Sequence, residues 1–576
     1  MAIPHASSAL WKGHCTYGGH VVDCACWGRM RSNKTTEGRG GPEDKGLGLS
    51  VSDPMLNSSS QFGLSVFRNG EAEGVKQLCP PISESKSVQE GQVWCSSSEE
   101  ASAGDPKAEN DQTVKHTPHT IGWDGINDPD NPRNFTTAKK IYITANLAIL
   151  TCLSTFASSI LSPASLHLMT EFGISKEVSI LATSLFVLGY VFGPLAFGPA
   201  SEVLGRKYPL SLGIFIFGIF SIPVAVAKNV ATIFICRFIC GVFGAAPLAI
   251  VRGSLADLYD PLFRGIAVAG FASATFLGPV LGPLVGGFVT MSPHLGWRWT
   301  QWLVVILSLS FGLLYFLTVP ETYSAVLLTR RAHKRGLHDV LPPRPKMTLQ
   351  MIGRVYIFKP FLMLSQEPIL ALITLYMGFI YGFLYLCFEA YPITFEHQRG
   401  WNLGVGALPF LAITIGVLVG VVIVIAHTKT RMQRKLQLHG ENAPEERLVP
   451  MMVGSVLLPI GMFWFAWTSN PHIIWVPQVV AGGFMGCGIL LIFLQGVNYL
   501  IDVYKMNANS AISANAMFRG LLGAGFPLFA TYMFNNLGVP WAMSLLGFLS
   551  TALVPVPFLF YIYGANIRKW SKFSPC

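Results

Sequence analysis

The chain has 576 residues, 51% of them apolar and only 12% charged, with a formal net charge of +10 and a mean hydropathy of +0.46. That balance lies outside the range usual for water-soluble domains and excludes a soluble enzyme or a soluble binding module. It reads as an all-α membrane protein, because a helix of about 20 predominantly apolar residues crosses the hydrocarbon with every backbone N–H and C=O satisfied inside the segment.

Residues 1–135 carry Ser, Gly, Lys and Glu in an aperiodic mix (SNKTTEGRGGPEDKG, SESKSVQEGQ, SSSEEASAGD). Such a composition buries too little apolar surface to offset chain entropy, so a disordered cytosolic N-terminal tail is expected. No early apolar run has the length of a signal peptide, and the first spanning helix is expected to direct insertion. His14, Cys15, His20, Cys24 and Cys26 follow no zinc-ligand spacing, so no metal is expected. Asn33, Asn57 and Asn134 each head an N-x-S/T sequon and are expected to stay bare on a cytosolic segment.

From Ile141 onward about twelve apolar runs have spanning length, centred near 151, 188, 218, 242, 277, 310, 380, 415, 459, 484, 522 and 551. Six precede and six follow a basic stretch, residues 321–366, that contains TRRAHKRG and PPRPK. The expected organisation is a six-helix bundle over 136–320, that linker, a second six-helix bundle over 367–565, and a short tail over 566–576. Arg206, Lys207, Arg252, Arg264, TKTRMQRK, Lys505 and RKWSK fall on the linker's side, against Lys176, Lys228, Arg298 and Arg399 on the other. The positive-inside rule therefore places linker and both termini in the cytosol, and the basic balance requires no nucleic acid. Trp299, Trp302, Trp475 and Trp541 near run ends suit the headgroup level. Cys152, Cys236, Cys240, Cys387 and Cys487 lie within apolar runs as small hydrophobes, with no disulfides expected.

Two runs flank GPASEVLGRK, in which Gly198, Glu202, Gly205, Arg206 and Lys207 occupy the loop between spans 2 and 3. Gly198 and Gly205 permit a tight reversal, and Glu202 and Arg206 at i, i+4 can pair with each other or face a neighbouring helix end. Span 5 reads GPVLGPLVGG, where Gly278, Gly282, Gly286 and Gly287 let helices approach closely and Pro283 loosens the hydrogen-bond ladder. A topogenic basic loop and an ordinary small-residue packing face are the plainer readings of these two stretches.

The first stretch resembles the G-x-x-x-[DE]-x-x-G-[RK]-[RK] motif of the major facilitator superfamily, with Glu202 where many relatives have Asp. The second resembles the G-x-x-x-G-P-x-x-G-G motif of its drug:proton antiporters. DPDNPRNFTTAKK, VPETYSAVLLTRRA, the region around span 7 and NANSAISANAMFRGLLGAGFPLF are similar to the fungal branch of the twelve-span drug:proton antiporter family, with the resemblance covering Asp128 to Lys572. The resemblance implies a major facilitator fold of twelve transmembrane helices in two six-helix halves that rock about a midplane site, with the first motif latching the cytosolic side.

Polar groups inside the hydrocarbon are expensive and become functional candidates. The substrate-binding set so selected is Asn146, Arg237, Tyr381, Tyr385, Glu389, Asn515 and Arg519. Arg237 begins RFICGVFGAA, which resembles the family's R-x-x-x-G-x-x-G-A pattern and implies a cation toward the cavity; pairing with backbone carbonyls is the alternative. Asn515 and Arg519 share a helix face, as do Tyr381 and Tyr385 with Phe388 and Glu389. Plain core packing is the alternative for the aromatics. Glu389 is the carboxylate well inside a run and is the expected proton-coupling residue, with Glu367 and His167 as weaker choices.

The expected function is a plasma-membrane, proton-coupled exporter of amphipathic small organic molecules such as drugs, toxins or secondary metabolites, working as a functional monomer without cofactor. A polyamine exporter, a nutrient importer and a non-transporting sensor remain as alternatives. No H-E-x-x-H, P-loop or convergent His/Asp motif supports an enzyme.

Overall fold

The computed structural model describes residues 13–17, 20–24, 122–125, 127–336, 353–439 and 443–573. Two units are distinguished, Met1–Glu109 and Asn110–Cys576. In the first, Gly13–Tyr17 pairs antiparallel with His20–Cys24, setting Cys15 opposite Val22. The sequons at Asn33 and Asn57, Cys26, and the side chains of His14, Cys15, His20 and Cys24 lie outside what is described.

In the second unit, the spans are Thr137–Ser159, Lys176–Val203, Lys207–Ala225, Val230–Gly244 continued by Ala246–Leu258, Pro261–Met291 and Arg298–Thr318. After the linker come Pro368–Tyr391, Phe410–His427, Leu448–Trp467, Val476–Tyr504 and Ala508–Leu553, the last leading into Pro555–Lys569. Eleven helical stretches among the described residues are long and apolar enough to cross a membrane. The eleventh holds two spans, because Gly538 (φ 72°, ψ 160°) breaks it in a backbone conformation that only glycine adopts readily, just ahead of Pro540. Divided there, the described residues hold twelve spans, six on each side of the linker, and each expected centre falls within one of these helices.

Short polar side chains start several spans by accepting from otherwise unpaired N–H groups: Thr136 from Lys139, Ser175 from Val178 and Asn229 from Thr232. Within each half, packing rests on missing side chains. A Cβ on Gly189 in span 2 would lie 2.5 Å from the Val242 backbone nitrogen of span 4, and one on Gly488 in span 10 would lie 2.8 Å from the Leu458 Cβ of span 9. Helices in a bilayer gain their association from this closeness rather than from hydrophobic exclusion.

Span 5 shows what its glycine-proline pattern does. Gly278, Gly282 and Gly286 face Thr155, Ser159 and Ile160 of span 1 with no room for a Cβ. Pro283 has no N–H to give the carbonyl of Pro279 one turn earlier. Ser159 Oγ of span 1 donates to that carbonyl at 2.8 Å. Gly287 turns instead to the other half, where a Cβ would sit 2.6 Å from the Leu403 carbonyl oxygen.

Residues 122–135, which composition groups with the tail, are held against the amphipathic helix Ser324–Lys334 of the linker. Asp128 accepts from Arg331 at 2.5 and 3.0 Å, and Asp130 accepts from Arg331 at 2.8 Å. Arg335 bonds Asp124. Asn134, the described sequon, donates to the Asp128 carbonyl at 2.9 Å. The Arg331 guanidinium holds the Asp128 carboxyl well below the usual carboxylate range, overcoming the opposite effect of burial.

Two outcomes are expected. Ser159→Ala, which orphans the Pro279 carbonyl, lowers stability by about 1–3 kcal/mol, read as a lower thermal midpoint in detergent. Because the Asp128 pKa is depressed on folding, its contribution is complete above the ordinary carboxylate value of about 4 and is lost as pH falls toward the folded value. Protection of residues 127–135 from hydrogen exchange, corrected for intrinsic rates, is therefore unchanged between about pH 7 and pH 5 and falls several-fold in Asp128→Asn.

Candidate functional site

The linker leaves span 6 and rejoins span 7 on one face of the bundle, here the linker face; the far face is opposite. Between the halves, toward the linker face, lies an open cavity. Span 2 supplies Tyr190, Gly198 and Glu202 to its wall, span 4 supplies Arg252 and Gly253, and span 11 supplies Asn509, Ser513 and Arg519. A second cavity shares Arg252, Gly253, Asn509 and Ile512 with the first and extends to Arg264, Arg447 and Asp502.

On the far face the halves are joined. Ser158 Oγ and Tyr385 Oη lie 2.8 Å apart across spans 1 and 7, and Ser162 Oγ donates to the Phe388 carbonyl at 3.4 Å. Lys176 Nζ at the start of span 2 is 3.7 Å from Glu389 Oε2 at the end of span 7. Thr531 of span 11 donates to the same carboxylate oxygen at 3.4 Å. Nearer the middle of the bundle, Phe276 of span 5 meets Phe493 of span 10 edge to face at 4.8 Å. The described conformation is thus sealed on the far face, with its space on the linker face.

The span 2–3 loop is arranged differently from the i, i+4 expectation. Arg206 does not pair with Glu202: its Nε donates to Asp257 at the end of span 4, 3.1 Å away, its Nη1 donates to Ser201 at 2.8 Å, and its guanidinium lies 4.7 Å above the Tyr323 ring. Glu202 points across the halves and accepts from Asn509 Nδ2 of span 11 at 2.8 Å. Of the two residues expected to fasten the gate, Glu202 reaches over it and Arg206 braces its own half.

Glu321, just beyond span 6, organises this corner. Its carboxylate accepts from the backbone N–H groups of Arg206 (2.8 Å), Lys207 (3.1 Å), Thr322 (2.9 Å) and Tyr323 (3.0 Å). Gly205, at φ 91°, packs against that carboxylate with no room for a Cβ. A carboxylate that gathers several N–H groups rigidifies the turn presenting them. The second half repeats the brace: Arg447 Nε donates to Asp502 at the end of span 10, 2.9 Å away.

The expected substrate-binding residues separate into groups. Arg519 borders the first cavity, 5% exposed, with its guanidinium 4.4 Å from the Tyr381 ring and 4.8 Å from the Phe493 ring. Tyr381 and Tyr385 are buried beneath it with hydroxyls 3.5 Å apart. Arg237 points elsewhere: its three donors meet the carbonyls of Ala182 (2.9 Å), Ala157 (2.7 Å) and Ser158 (3.0 Å), and it stacks on Phe186. It pins spans 1, 2 and 4 together instead of presenting a cation to the cavity. Asn146 donates to the Tyr142 carbonyl of its own helix at 2.9 Å, and Asn515 to Thr374 Oγ1 at 3.3 Å, so neither amide faces the cavity. Glu367 accepts from Tyr504 Oη (3.2 Å) and the Lys572 N–H (2.9 Å), tethering the end of the chain to span 7.

Arg252, assigned by position to a topogenic loop, lies instead in the helix Ala246–Leu258 and lines both cavities. Its signal was the apolar run PLAIVRGSL, which carries span 4 on past its glycines. Glu321, Asp257 and Lys176 left no such trace, because their partners are distant in the chain. Among the described residues no group of His, Cys, Asp and Glu is placed to hold a metal.

The sequence matches the Major Facilitator Superfamily model over residues 147–527. It is 72% identical over 454 residues to the MFS-type transporter traF of Penicillium crustosum, covering 79% of this chain and 93% of the relative. It is 49% identical to the citrinin biosynthesis cluster MFS transporter mrr1 of Monascus ruber, covering 83% and 98% of the two chains. With the ascochitine biosynthesis cluster MFS transporter of Didymella fabae it shares 48% identity over 79% of this chain and 89% of that one. Among solved structures, the proton:xylose symporter XylE superposes with a TM-score of 0.55 at 16% identity over 74% of this chain and 96% of XylE, a likeness of fold alone.

The weight of the corner on Glu321 is open to measurement. Glu321→Ala leaves four backbone N–H groups without their acceptor and lowers stability on the order of 3 kcal/mol, while Glu202→Gln, which still accepts from Asn509, costs less than about 1 kcal/mol; thermal unfolding of both proteins in detergent gives the order.

Proposed function

This chain belongs to the major facilitator superfamily, and from that premise we propose that it is a proton-coupled exporter of amphipathic small organic molecules, of the kind fungi make as secondary metabolites. It is a multi-pass membrane transporter, not an enzyme. In this reading it works as a monomer in the plasma membrane, with linker and both termini in the cytosol.

The observation that carries the reading is the asymmetry between the faces. Tyr385, Glu389 and Leu403 of the second half close on Ser158, Lys176 and Gly287 of the first at the far face, while the cavities lie toward the linker face. Cargo enters from the cytosol in this conformation, and rocking of the halves exchanges the sealed face for the open one. Relatives named for citrinin and ascochitine biosynthesis clusters support a secondary product as cargo. A polyamine is disfavoured, since a polycation in the cavity meets Arg252 and Arg519.

Glu389 fits proton coupling because its carboxylate is part of the far-face seal. A proton arriving there neutralises it and weakens its hold on Lys176, so protonation and opening toward the outside become one event. Inward movement of that proton contributes about 2.3 kcal/mol per 100 mV of inside-negative potential.

Deleting the gene should shift at least one small organic product from medium to cells several-fold, with complementation restoring it; an unchanged distribution across the metabolite profile would sink the exporter reading. In proteoliposomes loaded with that product, an imposed pH gradient should stimulate flux, and Glu389→Gln should remove most of the stimulation. Unaltered pH dependence in that variant would assign the proton to another group.

A further inference from the structure

We propose that the cargo site is built for an organic anion, a compact carboxylate or equally acidic group on an aromatic or apolar body, with Arg519 and Arg252 as the groups that receive its charge. This rests on the exporter reading above and names the chemical class of its cargo.

Arg519 lies eleven residues along the helix that starts at Ala508, about 16 Å from that end at a rise of about 1.5 Å per residue, near the middle of the bilayer. A charge at that depth is held by a carboxylate or by carbonyls when its role is structural, as Arg237 is held by three carbonyls. Arg519 has neither. Its Nε is buried without a hydrogen-bond partner, and its described contacts are the faces of Tyr381 and Phe493. Ring faces attract a cation but do not neutralise it.

Arg252 stands between Arg519 and the linker face, six residues before the helix end at Leu258, about 9 Å in by the same rise. Its described contact is the Phe271 ring at 5.5 Å. The acids lining the two cavities, Glu202 and Asp502, are engaged by Asn509 and Arg447. Two guanidinium groups at successive depths, neither opposed by an acid among the described residues, make a path that draws an anion inward from the cytosolic mouth. At its inner end Arg519 offers bidentate hydrogen bonds to a carboxylate, and Tyr190, Leu248 and Ala249 give the body of the molecule an apolar wall. Topogenic need explains basic loops at a membrane surface; it does not place an unpaired arginine near the midplane.

The test uses three probes with one ring system and three charges: 1-naphthoate, 1-naphthalenemethanol and protonated 1-naphthylmethylamine. Binding to the full-length protein in nanodiscs, measured at pH 7 by tryptophan fluorescence, should favour 1-naphthoate over the alcohol by about ten- to hundredfold, the range for one or two hydrogen bonds to a charged group. Arg519→Gln and Arg252→Gln should each reduce that ratio toward one, and Arg519→Lys, which keeps the charge, should retain part of it. Matching elution and thermal profiles for the variants separate loss of recognition from misfolding. Equal or tighter binding of the alcohol or the amine, absence of 1-naphthoate binding, or an undiminished ratio in Arg519→Gln overturns the proposal. Flux in proteoliposomes separates the two readings: charge-selective binding without transport refutes the exporter and leaves the anion site standing. Transport of the alcohol or amine with exclusion of 1-naphthoate refutes the anion site and leaves the exporter.

Discussion

Within a bilayer's hydrocarbon no water is available to satisfy a polar group, so each donor or acceptor must find its partner inside the protein. Most of the structure can be read as answers to that constraint. Pro283 withholds an N–H from the Pro279 carbonyl, and Ser159 of the neighbouring helix supplies a donor. Arg237 exhausts its guanidinium on carbonyls of spans 1 and 2. Each answer also ties one helix to another, so satisfying a polar atom and building the bundle are the same act.

The constraint acts differently within and between the halves. Inside a half, glycines bring backbones into contact, as at Gly189 against span 4 and Gly488 against span 9, and packing so close resists sliding. Between the halves, the contacts toward the far face are side chains and ends of helices: a hydroxyl pair and a carboxylate with a lysine, with an aromatic edge deeper in the bundle. Such contacts can be exchanged without repacking either bundle, which suits a protein whose two halves move as rigid bodies. The span 2–3 corner belongs to both categories. Glu321 and Asp257 hold Arg206 and its backbone within the first half, and that rigid turn presents Glu202 to Asn509 in the second.

Against this background an unsatisfied charge stands out. Arg519 is nearly as buried as Arg237 but has none of its carbonyls, and it borders the cavity between the halves. The contrast between two buried arginines is more informative than either alone, since it separates a cation used to hold helices together from one held ready for something absent.

The order of residues along the chain determined the class, the twelve spans and their division by a basic linker, because hydropathy and span length are local quantities that a bilayer reads directly. It also carried the superfamily resemblance through GPASEVLGRK and GPVLGPLVGG, and it singled out Arg519, Glu389 and Glu202 as charges worth explaining. The roles of those charges were decided by tertiary structure. Arg206 could have met Glu202 four residues away, yet it meets Asp257, 51 positions on, since the turn at Gly205 is oriented by Glu321 from beyond span 6. Arg237 and Arg519 look alike as single cations in apolar runs, and whether a guanidinium meets carbonyls or a cavity depends on which helices face it. Lys176 and Glu389 are more than two hundred residues apart, and only the packing of span 2 beside span 7 brings them together.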